Sequence, residues 1–324
     1  MRRKLIYWTA SIVYAAITGV SAAESLPNGV PAIPVGATAE QIKQAAALVR
    51  AGRTLTPKVW KNGARVAVCV VFDVDNEFHF ATGNAGPGAL SVGEYGATTG
   101  LPRILALLDR QQVPASFFVP AGAAILHPEM IPEILKSGRH EIGVHGWVHE
   151  YIPALANAEE EERVLTQSID YLTKATGKRP VGYKAPGVEF GPHTIELLLR
   201  AGFLYDGSMM AMDQPYELLS NGAPTGLLEL PGSWVVDDYV YFGIGPNSPI
   251  AALPDPQAVF RIFRSEFDVA YRERTLFVLS MHPAVTGYRS RTVELEKLIV
   301  YMKSKPDVWF ATMEEIARYI KANK

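Results

Sequence analysis

Two aspartates and a glutamate, Asp73, Asp75 and Glu77, follow a long apolar run that begins at about Arg65. An apolar run without polar alternation predicts a strand that is buried on both faces, as in a parallel sheet. Folds with such sheets place their chemistry at the carboxyl ends of the strands. One aspartate there could simply solvate the strand end or cap the next helix. Three acidic residues within five positions favour a catalytic or metal-binding role.

Two histidines, His145 and His149, follow a second predicted strand, Glu141–Val144. On a helical turn this spacing would place both rings on one face, where they could fill two positions on a zinc ion. A zincin would have glutamate directly after the first histidine, but that residue is Gly146. A general base must therefore come from elsewhere, and the two aspartates are the obvious source. Paired surface histidines also arise by chance, but their position after a strand favours a metal site.

Further polar residues lie just beyond other predicted strands, and in a barrel all these strand ends converge on one face. They are Lys184, Asp206, Trp234 with Asp237 and Asp238, and His282. Each of them alone has an ordinary structural explanation. The chain has no Gly-x-Ser-x-Gly elbow, no P-loop and no Gly-x-Gly-x-x-Gly after the first strand, which argues against serine-hydrolase, nucleotide and dinucleotide chemistry.

The elements that must position these residues alternate along the chain as about eight strands and helices. This alternation predicts an α/β fold, a (β/α) barrel that is distorted and has seven or eight parallel strands. We expect one catalytic domain over residues 64–324 and an extension over residues 24–63 that holds one helix. A capping box at Thr38–Gln41 would begin that helix, and Gly52 would end it. The segment Glu77–Thr98 reads as a long functional loop, which includes Phe78, Phe80 and Tyr95.

Composition limits the partners. The formal net charge is only −2, which gives no reason to expect a nucleic acid or an anionic membrane surface as partner. The single cysteine, Cys69, excludes an internal disulfide and a cysteine-based zinc site, and its place in mid-strand predicts a core role. The oligomeric state stays open, a homo-oligomer included.

The first 23 residues have the organisation of a secretory signal peptide. Arg2, Arg3 and Lys4 precede an apolar stretch up to Val20, and the small residues after it form a cleavage site at Ala22 or Ala23. The apolar stretch is short for a membrane span, so stable insertion is not expected, although an uncleaved anchor is the alternative. The signal predicts a secreted or periplasmic protein.

The ordered set of motifs resembles the polysaccharide deacetylase superfamily, carbohydrate esterase family 4, over about residues 64–324. The motifs that carry the resemblance are Phe72-Asp73-Val74-Asp75, His145-Gly-Trp-Val-His149, Lys184-Ala-Pro186, Trp234 to Asp238, and Ser280-Met-His282. The likeness is strongest to the branch with peptidoglycan deacetylase-like and cyclic-imide or allantoin hydrolase-like proteins. Two features depart from the common pattern: a valine separates the aspartates, and lysine stands where arginine is frequent. Lysine cannot make the planar bidentate contact with a carboxylate that arginine makes.

The resemblance implies roles for these residues. Asp75, His145 and His149 would bind one divalent metal ion, with Zn²⁺ expected first, while Asp73 would be the general base and His282 the general acid. Lys184, Trp234, Asp206 and Tyr95 would bind or tune the substrate. The leading hypothesis is removal of N-acetyl groups from a glycan such as peptidoglycan or a chitin-like oligomer. The alternatives are hydrolysis of a small cyclic imide or ureide at the same site, and a catalytically idle glycan-binding protein.

Overall fold

The computed structural model describes residue 33 and residues 35–81, 85–243 and 254–323. The predicted signal peptide, residues 1–23, lies outside the described residues. Within the described part of the chain, no helix combines the length and apolar character that crossing a membrane requires.

The described residues contain ten strands in one curled sheet. The strands are β1 (Val49–Thr54), β2 (Val66–Asp73), β3 (Ser116–Val119), β4 (Glu141–Val144), β5 (Gly182–Tyr183), β6 (Tyr205–Asp206), β7 (Tyr216–Ser220), β8 (Ala223–Glu229), β9 (Leu276–Met281) and β10 (Val308–Phe310).

Thirteen α-helices are described along the chain. They are α1 (Ala39–Ala46), α2 (Phe78–Ala81), α3 (Pro87–Tyr95), α4 (Leu101–Gln111), α5 (Ala121–Leu126), α6 (Met130–Leu135), α7 (Ala158–Thr176), α8 (Thr194–Arg200), α9 (Asp238–Phe242), α10 (Pro256–Glu273), α11 (Pro283–Thr286), α12 (Arg289–Lys303) and α13 (Met313–Ala322).

Eight of the strands pair in parallel, which confirms the predicted barrel. β2 lies at the centre: it pairs with β9 on one side and with β3 and β10 on the other. The parallel ladder continues from β3 through β4, β5 and β6 to β8. A single parallel bridge between Asp237 and Ser280 joins the segment after β8 to β9 and brings the two ends of the curled sheet together. The strand ends that carry polar residues therefore face one rim.

Alternate residues of β2 enter two different parts of the core, because successive side chains of a strand point to opposite faces. Val66, Val68 and Val70 belong to the larger hydrophobic cluster with the outer helices. Ala67 and Cys69 belong to a second cluster that includes Phe118, Tyr205 and residues of α13. Both faces of β2 are thus buried in apolar clusters, which explains its continuous apolar sequence. Cys69 has the core role that was predicted, and burial raises the pKa of its thiol.

The N-terminal extension is only partly as predicted. The capping box forms, with the Thr38 side chain and the Gln41 side chain each accepting the other's backbone N–H. The prediction that the helix continues to Gly52 is wrong, because α1 ends at Ala46 and β1 follows it. β1 pairs antiparallel with β7, and Gly52 allows the approach, since a Cβ there would lie 2.9 Å from the carbonyl oxygen of Glu217.

The segment Glu77–Thr98 is not the long loop that was predicted. It contains α2, α3 and the start of a π-helical turn over Gly96–Gly100 that runs into α4. Gly93 permits α3 to lie against the chain just after the acidic motif, because an added Cβ would meet the Glu77 nitrogen at 2.3 Å. Gly93 and Gly96 thus serve helix packing, whereas the sequence pattern suggested turns.

Candidate active site

The polar residues predicted at the strand ends gather at one rim of the barrel. Asp73 ends β2, His145 follows β4, Lys184 follows β5 and His282 follows β9, and all four lie within a largely buried cluster. The parallel pairing explains this, because it places the carboxyl ends of neighbouring strands side by side. The structure thus brings these four side chains together, and their catalytic and metal-binding roles stay predictions.

The imidazole rings of His145 and His149 lie close to the carboxylate of Asp75. His145 Nε2 lies 3.3 Å from Asp75 Oδ1, and His149 Nε2 lies 3.4 Å from Asp75 Oδ2. Asp75 Oδ1 is buried and has no hydrogen-bond partner among the described residues. Ligand atoms about 2.1 Å from a tetrahedral zinc ion lie about 3.4 Å from one another. The three residues offer the donor types of a divalent-metal site, and each imidazole lies at about the ligand–ligand distance from one oxygen of Asp75.

The loop that carries the two histidines is not the helical turn that the spacing suggested. Gly146 and His149 both have left-handed backbone conformations, with φ of 78° and 57°. The carboxylate of Glu150 accepts the backbone N–H groups of Trp147 and Val148 at 2.7–3.1 Å and closes the turn. The ring centroids of His145 and His149 nevertheless lie 5.1 Å apart, so the turn brings the rings together as a helix would.

The two histidines have environments that suit metal ligands. His145 Nδ1 lies 2.7 Å from the carbonyl oxygen of Lys184 and donates to it, which leaves Nε2 free towards Asp75. Burial lowers the pKa of His149 to about 4, so the ring is neutral at pH 7, as a ligand must be. Burial opposes the charge on Asp75, but His149, His145 and His79 together hold the pKa of this carboxyl well below its usual range.

Asp73 makes a buried ion pair with Lys184. Lys184 Nζ lies 2.5 Å from Asp73 Oδ2 and 3.3 Å from Ser280 Oγ. Burial disfavours the ammonium, but the charge of Asp73 outweighs it and raises the pKa of Lys184. The lysine contacts one carboxylate oxygen only. Asp73 Oδ1 is left buried without a hydrogen-bond partner among the described residues.

His282 is held by Asp238, the first residue of α9, on the side of its ring that points away from Asp73 and Asp75. Asp238 Oδ1 lies 2.7 Å from His282 Nδ1, and Asp238 Oδ2 accepts the backbone N–H of His282 at 3.0 Å. Thr286 Oγ1 also donates to this carboxylate, at 2.5 Å. Burial opposes protonation, but Asp238 outweighs it and raises the pKa of His282 to about 10. The free Nε2 lies 3.8 Å from both Asp73 and Asp75, so a protonated ring faces the two aspartates.

A cavity of about 300 Å³ opens onto Asp73, Asp75 and His282. Its walls are largely apolar or aromatic, and α3 contributes Val92 to its lining. Residues of α2, α9 and the segment from α11 to α12 form the other walls, among them His79, Phe80, Tyr239, Phe242, Tyr288 and Arg291.

None of the four residues predicted to bind or tune the substrate lines this cavity: Lys184 contacts Asp73 instead, and the other three lie elsewhere. Asp206 is fully buried and accepts hydrogen bonds from the backbone and hydroxyl of Ser208 at 2.8 and 2.9 Å. Trp234 lies in a short 3₁₀ turn and is 59% exposed. Tyr95 stacks on Tyr288 with ring centroids 4.4 Å apart, behind the cavity wall.

The sequence reasoning assigned no role to His79 and Tyr239, although both line the cavity. His79 Nε2 lies 2.5 Å from Tyr239 Oη, and 160 residues separate them along the chain. No motif spacing links two residues so far apart. The only available signal was the presence of His79 four positions after Asp75, within a segment already marked as functional.

Comparisons with known proteins agree with this geometry. The profile of the polysaccharide deacetylase family matches residues 86–205. A peptidoglycan deacetylase of Helicobacter pylori is 33% identical over 74% of this chain and 90% of its own length. A peptidoglycan deacetylase-like protein of Gibberella zeae is 26% identical over 80% of this chain and 87% of its own.

Solved structures share the fold. A protein of Mycobacterium smegmatis that is described as a polysaccharide deacetylase superposes with a TM-score of 0.78 and 36% identity. The match covers 84% of this chain and 96% of that one. A Puue allantoinase superposes with a TM-score of 0.70 and 27% identity, over 81% and 92% of the two chains. With the barrel, the strand-end cluster and these relatives in agreement, the chain belongs to the polysaccharide deacetylase family, whose members are hydrolases of carbon–nitrogen bonds.

Proposed function

We propose that the protein is a metal-dependent deacetylase that removes N-acetyl groups from a glycan outside the cytoplasm. The observation that carries the proposal is the buried cluster at the barrel rim, in which all five residues with implied roles lie together: Asp73, Asp75, His145, His149 and His282. Similarity to a peptidoglycan deacetylase of Helicobacter pylori supports the substrate class. The predicted signal peptide supports a secreted or periplasmic location.

The metal ion would be held by Asp75, His145 and His149. A divalent ion bound there would lower the pKa of a water molecule and polarise the carbonyl of the acetamido group. The zinc-like spacing around Asp75 and its unsatisfied oxygen support this assignment. The Lys184 carbonyl fixes His145 so that its Nε2 is directed towards the ion.

Asp73 and His282 would then move the protons. Asp73 Oδ1 takes a proton from the attacking water, whose oxygen forms a bond to the acetyl carbon. Lys184 holds the other oxygen of Asp73 and thereby orients the carboxylate. His282 Nε2 gives its proton to the amide nitrogen as the carbon–nitrogen bond breaks, which releases acetate and leaves an amine on the sugar. Each such proton transfer is worth about 10²–10⁴-fold in rate.

The test compares metal-loaded wild type with Asp73→Asn on N-acetylglucosamine oligomers and peptidoglycan. We expect acetate release by the wild type, and a loss of about 10²-fold or more in kcat for the variant with its metal content unchanged. Metal content is measured by elemental analysis of the same preparations. Loss of metal in Asp73→Asn would mean that the two aspartates have exchanged roles, and no acetate release from any glycan would refute the substrate class.

A second candidate function is hydrolysis of a small cyclic imide or ureide by the same residues. The observation that favours it is the largely apolar cavity of about 300 Å³, which α3 lines through Val92 and whose size suits a small ring. Similarity to a Puue allantoinase gives independent support. Ring opening of a succinimide or hydantoin, with no acetate release from glycans, would establish this function in place of the first.

A further inference from the structure

His79 has an environment that the roles assigned so far do not explain. It lies in α2, one helical turn after Asp75, and lines the cavity. Its Nδ1 lies 3.5 Å from Asp75 Oδ2, and its ring centroid lies 5.7 Å from that of His149. Asp75, His79 and His149 each offer one ligand atom, and all three atoms lie within 4.8 Å of one another. This set contains His79, whereas the metal-ligand set of the proposed function contains His145.

The distances around Asp75 are too long for ordinary hydrogen bonds. An N–H···O bond usually measures 2.7–3.2 Å between heavy atoms. Three imidazole nitrogens surround this carboxylate at 3.3, 3.4 and 3.5 Å, from His145, His149 and His79 respectively. Donors that only needed a hydrogen bond would come closer to a buried carboxylate. His149 and His79 both lie near Oδ2 at the spacing of ligand atoms around one ion, and His145 lies near Oδ1 of the same carboxylate.

Nε2 of His79, the ring nitrogen that points away from Asp75, is held by a hydrogen bond as it is in metal-ligating histidines. Such histidines use the second ring nitrogen to donate to a fixed oxygen, which sets the tautomer and the ring orientation. His145 does so with the Lys184 carbonyl, and His79 Nε2 meets Tyr239 Oη at 2.5 Å. Tyr239 is itself positioned in α9, where its backbone N–H donates to Asp237 Oδ1 at 2.8 Å. With the proton on Nε2, the lone pair on Nδ1 faces Asp75.

We propose that His79 is a fourth metal-ligating side chain, so that Asp75, His79, His145 and His149 together hold the ion and Tyr239 orients His79. The proposal rests on the metal site of the proposed function and adds a ligand to it. Four protein ligands fill a tetrahedron, so a water molecule can bind only when the ion takes five or six ligands. The site therefore favours divalent transition-metal ions that accept a higher coordination number, such as Co²⁺, Ni²⁺, Fe²⁺ or five-coordinate Zn²⁺.

The experiment measures metal binding, which does not depend on knowing the substrate. Metal-free wild type, His79→Ala, His79→Gln, Tyr239→Phe and a control, His193→Ala at the start of α8, are titrated with Zn²⁺ against a chromophoric chelator. We expect the two His79 variants to bind Zn²⁺ about 100-fold more weakly and Tyr239→Phe about 10-fold more weakly. His193→Ala should match the wild type. Far-ultraviolet circular dichroism of the metal-free proteins checks that each variant is folded.

The Co²⁺-substituted proteins give a second readout. Removing a ligand lowers the coordination number, so the visible absorption of Co²⁺ should change in intensity and position in both His79 variants and stay the same in His193→Ala. Wild-type affinity and an unchanged Co²⁺ spectrum in both His79 variants would overturn the proposal. A wild type that binds no ion, or a His145→Ala variant with full affinity, would instead refute the metal site of the proposed function.

Discussion

The Lys184–Asp73 pair removes two opposite charges from water at the centre of the site. Both side chains are at most 5% exposed, and the two groups meet at 2.5 Å. Burying such charges costs several kcal/mol per ion, and their attraction offsets that cost only while both partners are present. A lysine makes one contact where an arginine would make two, and Asp73 Oδ1 is left without a hydrogen-bond partner among the described residues.

The first prediction follows from this pair. Lys184→Met leaves Asp73 buried and unpaired, so the free energy of unfolding should fall by about 3–5 kcal/mol. Lys184→Met/Asp73→Asn removes the unpaired charge and should regain much of that loss. Urea unfolding at pH 7 of the metal-free proteins measures both values. Equal losses in the single and double variants would show that the lysine stabilises the fold by packing alone.

A histidine outside the site gives the second prediction. The Ala115 N–H donates to Nδ1 of His140 at 3.1 Å, and burial lowers the pKa of this ring to about 4. An unfolded histidine has a pKa of about 6.5, so between these values the unfolded chain binds a proton that the folded chain excludes. The contribution of His140 to the free energy of unfolding is therefore complete above pH 6.5. It is lost as the pH falls towards 4, by at most about 1.4 kcal/mol per pH unit.

His140→Gln keeps an acceptor for the Ala115 N–H and removes the titration. Its free energy of unfolding should consequently fall less steeply than that of the wild type between pH 6.5 and pH 4.5. Urea unfolding at three or four pH values within this window measures the two slopes. Parallel slopes would exclude His140 as a source of acid sensitivity.

At the scale of elements, glycines let large rings fill the inside of the barrel. A Cβ on Gly182 of β5 would lie 2.1 Å from Tyr205 Oη, and one on Gly143 of β4 would lie 2.5 Å from the Phe118 ring. Tyr205 also donates a hydrogen bond to the buried Glu141, so its ring cannot move away freely. These contacts fix the distance between neighbouring strands and, with it, the positions of His145 and Lys184 at their ends.

The third prediction compares two glycines. Gly182→Ala forces the added methyl group into the Tyr205 ring and should reduce the free energy of unfolding by about 1–3 kcal/mol. Gly88→Ala in α3 meets nothing within 4 Å and should be neutral or stabilising by up to about 1 kcal/mol. Denaturant unfolding of the two variants and the wild type gives the comparison. Equal stability of Gly182→Ala and the wild type would mean that the barrel interior can expand.

How far the elements could be predicted depended on the kind of signal each one carries. β4 was predicted with its observed bounds, because it is a buried strand that ends at a clear turn. β7 was missed, and β1 was taken as the end of a helix, because both are short antiparallel strands that lack the long apolar run of β2. α3 was missed because Gly88 and Gly93 lower its helix propensity, and only packing against the chain after Asp75 explains why it forms.

The residues of the site divide in the same way: some could be predicted from their sequence position, and others come together only through packing. Asp73, Asp75, His145, Lys184 and His282 were found because strand ends in a parallel barrel must meet at one rim. Asp238 was noted only as part of a motif, and its contact with His282 depends on α9 lying beside β9. His79 and Tyr239 meet only after the chain has folded. Sequence position therefore predicts which residues reach the rim, while packing decides which of them touch.

At the scale of the whole molecule, the two hydrophobic clusters lie on opposite faces of the sheet and the site lies at one rim. β2 takes part in both clusters and also ends in Asp73. The core is therefore complete without a metal ion, in contrast to small domains that fold only when metal binds. An ion at the rim should stabilise the folded chain only through its binding free energy, which is about 2.7 kcal/mol at a free concentration of 100 times Kd.

The fourth prediction uses this linkage to separate the two aspartates. Removal of metal with a chelator should leave the protein folded at 25 °C, since both hydrophobic clusters remain, while Zn²⁺ at 100 times Kd should raise Tm by several degrees. Asp75→Asn should abolish this rise because it removes a ligand, whereas Asp73→Asn should retain it because Asp73 contacts Lys184. Differential scanning calorimetry with and without Zn²⁺ measures each shift. Unfolding by the chelator alone would make the ion a structural element, and a lost shift in Asp73→Asn would make Asp73 a ligand.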